Sequence, residues 1–185
     1  MNEAANKVAG RPSHRSRERP QEPSLLKGVL LLLAKIAVIL VVVLLVFTFM
    51  FGLHRGADAS MAPAVKDGDL VLFYRLDKTY AAGDALLLEF EGQKQVRRVI
   101  ATAGDTVDIT EDGLLINGAL QQEPEIYQNT QRYAGGATFP LTVGESQVFV
   151  LGDARENATD SRVYGAVNVK DTLGKIITIL RRRSI

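Results

Sequence analysis

The chain has 185 residues, with 22 Lys and Arg against 21 Asp and Glu and a formal net charge of +1. That length suits one globular domain plus an anchoring segment. The absence of cysteine excludes disulfides, a thiol nucleophile and thiolate-ligated metals, and His14 and His54 form no ligand-spaced cluster, so neither a metal nor another cofactor is expected.

Residues 1–27 read as a polar, basic, disordered tail. Lys7, Arg11, Arg15, Arg17, Arg19 and Lys27 are opposed there only by Glu3, Glu18 and Glu22. Residues 28–53 follow as one apolar run, interrupted only by Lys35, and Ile36–Leu53 carries no charge at all. About 20 apolar residues cross a bilayer core, so a single transmembrane helix over 28–53 is expected, with Lys35 snorkelling. A cleavable signal peptide is the rival, since Ala57-Asp58-Ala59 resembles a small-residue cleavage site. The run is too long for a signal h-region of about 7–15 residues, which favours an uncleaved anchor. The excess of positive charge before the helix predicts a cytoplasmic N-terminus and an extracytoplasmic domain over 54–185, at the plasma membrane. After Lys35 the chain is slightly acidic, fifteen Lys/Arg against eighteen Asp/Glu, which argues against nucleic acid as a partner.

Beyond Pro63 the pattern is of short strands and turns. Strands are predicted at Asp69–Tyr74 after Asp67-Gly68, at Ala85–Phe90 after Gly83-Asp84, and at Gln95–Ala101 before Ala103-Gly104-Asp105. Thr106–Thr110 and Leu114–Ile116 flank Glu111-Asp112-Gly113 as a hairpin. Gln147–Leu151 ends at Gly152-Asp153, and Leu173–Leu180 alternates before Arg181-Arg182-Arg183, a solvated or membrane-surface charge run. Gln121–Gly144 holds no period and is expected to be a long loop. The whole predicts a mostly β, antiparallel domain on one N-terminal transmembrane helix.

Ser60 lies just past the apolar run, in Ser60-Met61-Ala62-Pro63. A serine becomes a nucleophile only beside a base, and without a useful His the natural partner is a lysine. Four segments in order then resemble the bacterial type I signal peptidases, membrane-bound Ser/Lys proteases. They are Ser60-Met61-Ala62-Pro63, Gly68–Leu72, Arg97–Asp105 and Gly152–Arg162, the last reading GDARENATDSR. The resemblance covers the anchor and nearly all of residues 54–185. It implies a signal-peptidase-like β fold and cleavage of signal peptides from exported preproteins after small residues such as Ala. It implies Ser60 as nucleophile, with the Ser60 backbone N–H stabilising the oxyanion and Met61 and Pro63 beside the substrate. Met61 is expected to pack its thioether on the apolar, membrane-facing surface, the alternative being simple core packing. Asp153, Arg155, Asp160 and Arg162 are expected to form a charge-assisted network behind the site, supporting it or only the fold.

The chain departs from the family where the proton must move. Arg97 stands at the position of the base lysine, and a guanidinium has donors only. Ala158 replaces the serine that hydrogen-bonds that lysine, Ala154 replaces an Asn, and Asp58 sits two residues before the nucleophile. Lys94 is three residues from Arg97 and so on the opposite strand face, while Lys66 and Lys78 could substitute only if loops fold back. Two readings follow. One is an active signal peptidase I, a serine endopeptidase whose partners are preprotein signal peptides and the lipid bilayer. The other is a catalytically impaired paralogue that binds exported chains or assists surface-fibre assembly.

Overall fold

The computed structural model describes residues 25–56 and 59–181. The basic tail up to residue 24, Asp58 and the end of the terminal Arg run lie outside the described residues. Helix α1 (Leu25–Met50) has no polar face and no buried residue. Its Thr48 hydroxyl is returned to the Leu44 carbonyl at 2.8 Å, which satisfies it within an apolar surface. Among the described residues this is the one helix long and apolar enough to cross a membrane.

The helix ends three residues earlier than the 28–53 span suggests. Phe51–Leu53 belong to strand β1 (Phe51–Arg55), which pairs antiparallel with β2 (Leu70–Tyr74). The reason is local. Gly52 is a poor helix residue, and a Cβ on it would lie 2.3 Å from the Phe73 ring, so the close strand pairing needs this glycine.

The remaining strands are β3 (Ala85–Phe90), β4 (Gln93–Thr102), β5 (Thr106–Thr110), β6 (Gly113–Ile116), β7 (Ala119–Leu120), β8 (Leu141–Thr142), β9 (Gln147–Leu151), β10 (Val167–Asn168) and β11 (Thr172–Leu180). They build a seven-stranded sheet ordered β1-β2-β11-β3-β4-β9-β10 and a four-stranded sheet ordered β7-β6-β5-β8. Every pairing is antiparallel, as expected for the mostly β class.

Alternation decides which residues go inside. Val107, Ile109 and Leu114 meet Phe149 and Leu151 in one apolar cluster, with Phe139 edge-on to Phe149. Met61, Val65, Val71, Phe73, Leu87 and Val96 form a second. Leu86, Leu88, Val99, Val148 and Val150 form a third, with Phe90 and Tyr164 packed against it, their rings tilted to each other. The expected long loop is largely that: between Leu120 and Gly144 only β8 is regular. It is nonetheless tied down, with Ala137 donating to the Arg162 carbonyl at 2.8 Å and the Arg162 guanidinium lying over the Tyr133 ring.

Candidate active site

Ser60 opens the turn over residues 60–64, and its carbonyl is clamped by the last box. The Ala154 N–H donates to the Ser60 carbonyl at 2.9 Å. Gly152 presses against the same carbonyl, and a Cβ there would meet the Ser60 oxygen at 2.7 Å and the Ala158 methyl at 2.3 Å. The first and last of the four sequence boxes are therefore in direct contact. Gly152→Ala is expected to cost about 1–3 kcal/mol by overpacking and to lower any Ser60-dependent cleavage by up to about 100-fold through displacement of Ser60. Denaturant unfolding and a cleavage assay on the same preparation check both.

Arg97 comes from the middle of β4. Its Nη1 donates to Ser60 Oγ at 2.6 Å and to the Val96 carbonyl at 2.6 Å. Its Nε and Nη2 both donate to the Thr159 carbonyl, at 3.0 and 2.9 Å. Arg97 is 1% exposed and Ser60 2%. The pair expected from the order of the boxes is thus assembled, but with a donor where a proton acceptor would stand. Ala158, 3% exposed, offers a methyl beside it.

No lysine takes this place among the described residues. The β3–β4 register runs unbroken from Phe90↔Gln93 to Ala85↔Arg98, so no bulge rotates Lys94 onto the face of Arg97. Lys94 is exposed. Lys78 is spent on the Lys170 and Thr172 carbonyls, at 3.0 and 2.7 Å. Lys66 is exposed, and Lys175 pairs with Asp84.

Met61 is not on a surface. At 1% exposure it fills the cluster of Val71, Phe73, Leu87 and Val96, so its side chain packs in the core rather than on a membrane-facing or substrate-facing surface. The cause is the turn at Ser60–Ala64, which directs Met61 inward and leaves Pro63 exposed. Asp58 lies outside the described residues.

The charged residues of the last box form a connected framework. Asp160 takes two hydrogen bonds from the Arg162 guanidinium, at 2.9 and 2.8 Å, one from the Arg162 backbone N–H at 3.1 Å and one from the Gly152 N–H at 3.1 Å. Arg162 also donates to the Arg155 carbonyl at 2.5 Å. Arg155 donates to the Gly152 carbonyl at 2.9 Å and grips Glu123 with two bonds of 2.6 Å, with Thr130 also accepting from it. Asp153 receives Arg98 at 2.8 and 2.6 Å, and this carboxylate raises the Arg98 guanidinium further above its ordinary value. Glu123 and Thr130 were not legible as partners, because 32 residues separate Glu123 from Arg155 and neither belongs to a motif. Tyr164, at the end of the short helix α2 (Ser161–Tyr164), has its phenol pushed up by burial, with the Arg97 charge pulling it the other way. It stays a neutral hydroxyl near the site.

The sequence model of the family described as signal peptidase, peptidase S26, matches residues 29–180. A signal peptidase I P from Bacillus subtilis subsp. natto is 30% identical over 151 residues, covering 75% of this chain and 82% of that protein. A signal peptidase IB from Staphylococcus aureus (strain COL) is 29% identical over 168 residues, covering 81% of this chain and 88% of that protein. A crystal structure of a signal peptidase I from Enterococcus faecalis V583 is 30% identical, with a TM-score of 0.47 over 54% of this chain and 97% of that one. With the family match running from within α1 to the end of β11, this chain belongs to the signal peptidase family, peptidase S26.

Proposed function

We propose that the protein is a membrane-anchored signal peptidase I that cleaves signal peptides from exported preproteins after small residues, with Ser60 as nucleophile. Residues 28–50 would anchor it, the basic tail would face the cytoplasm, and the domain from residue 54 onward would act on the outer side. The observation that carries this reading is the buried 2.6 Å contact between Ser60 Oγ and Arg97 Nη1, assembled from two family boxes.

The chemistry follows from what each group can do. Ser60 Oγ attacks the carbonyl at the cleavage site. The C–N bond breaks as its nitrogen takes a proton from solvent, the new amine leaves, and water later hydrolyses the ester. Arg97 cannot take the serine proton, so that proton goes to a solvent base. What Arg97 does supply is a fixed positive charge beside Ser60 Oγ, which favours the alkoxide form of the nucleophile, while the charge that develops on the substrate carbonyl oxygen falls to the Ser60 backbone N–H. Turnover is accordingly slow, because the contribution of a positioned base, typically 100- to 10,000-fold, is missing.

A second reading draws on the same contact, taken by the direction of its proton. Arg97 donates to Ser60 rather than accepting from it, and the methyl of Ala158 cannot assist. Both favour a paralogue that recognises exported chains without cutting them. The test is incubation of the detergent-solubilised protein with a preprotein carrying an Ala-x-Ala site. Cleavage by the parent that disappears in Ser60→Ala is the expected result. Cleavage that survives Ser60→Ala sinks the serine mechanism, and binding without cleavage at any pH selects the second reading.

A further inference from the structure

A cleft of about 760 Å³ opens beside the nucleophile segment. Three stretches of its wall begin within a few residues of the site. Pro63 and Ala64 follow Ser60 by three and four residues. Arg98 adjoins Arg97. Asp153 lies between Gly152 and Ala154, the two residues that hold the Ser60 carbonyl. The start of the long connection, from Glu123 to Tyr127, lines it as well.

The lining is mixed, and its charges separate by partner. Arg98 is neutralised by Asp153, and Glu123 by the fully buried Arg155 behind it. That leaves Lys66, Arg181 and Glu125 at the cleft, with no ion pair to any described residue. Two cations and one anion give a net excess of +1. Between them lie Pro63, Ile126, Ile179 and an almost fully exposed Tyr127.

We propose that this cleft receives the residues immediately after the scissile bond, the first few of the mature chain, and prefers an acidic side chain there. The proposal rests on the function proposed above. A signal segment is apolar ahead of its small cleavage residues, so Lys66, Arg181 and Glu125 at this mixed cleft suit the residues after the bond instead. An acidic residue of the substrate would meet Lys66 and Arg181 in partly solvated ion pairs, which set preference rather than large affinity.

Binding reads this out without requiring turnover. The full chain in detergent, as Ser60→Ala, is titrated with three fluorescent peptides of identical signal portion ending in Ala-x-Ala. One stops at the cleavage residue, one continues with four residues including an Asp, and one carries Lys in place of that Asp. The Asp peptide is expected to bind about 3- to 10-fold more tightly than the Lys peptide. Lys66→Glu with Arg181→Glu is expected to reverse that order. Equal binding of all three peptides overturns this proposal and leaves the function reading intact. Binding of none overturns the function reading, and this one with it.

Discussion

Arg97→Lys combined with Ala158→Ser is expected to raise cleavage of an Ala-x-Ala preprotein by about 100- to 10,000-fold over the parent, the range a positioned general base contributes. The position is ready for it. Arg97 is buried at the nucleophile and its head group already touches Ser60 Oγ. A lysine there would be desolvated, which lowers its pKa and favours the neutral amine that can accept the serine proton. A hydroxyl at residue 158 would orient that amine. The pH profile carries the sign. Activity of the double variant should rise with pH as the lysine loses its proton, with a limb near about pH 7–8, whereas the parent lacks that limb. Arg97→Lys alone should give part of the gain. A double variant no faster than the parent, while folded, would show that Ser60 is not poised for attack.

The second large effect falls on stability. Asp160→Ala removes the carboxylate that accepts from Arg162 Nε, Nη2 and backbone N–H and from the Gly152 N–H. Asp160 and Arg162 have side chains 0% and 2% exposed, so the arginine would be left as an uncompensated buried charge. Breaking such a pair costs about 3–5 kcal/mol, against a total stability of roughly 5–15 kcal/mol for a domain. Urea unfolding should show the midpoint falling with an unchanged slope. Asp160→Asn, which keeps acceptor and shape, should lose less. A loss under about 1 kcal/mol for Asp160→Ala would mean the network does not hold the fold.

The strands that the sequence announced are those with both a turn signal and alternation. β3, β5 and β9 begin and end where Gly83-Asp84, Gly104-Asp105 and Gly152-Asp153 placed them. β1 was hidden, because Phe51–Leu53 are as apolar as the helix before them and only Gly52 marks the change. β7, β8 and β10 have two residues each, too few for any period. The site divides the same way. Order of the boxes was enough to bring Ser60, Arg97 and the last box together. That Arg97 would donate was already written in its guanidinium, whereas the inward turn of Met61 and the reach of Glu123 to Arg155 depend on tertiary packing, which no local pattern records.

The long connection between β7 and β8 carries almost no strand ladder, yet it is fastened at several points. Arg155 grips Glu123 and Thr130, and Arg162 meets Tyr133 and, through its carbonyl, Ala137. Those two side chains also bond the Gly152 carbonyl and the Asp160 carboxylate beside Ser60. Two guanidinium groups thus serve as crossbeams in place of a sheet. Because the same pair of cations fastens both, loosening of that outer stretch is expected to slacken the surroundings of the nucleophile with it.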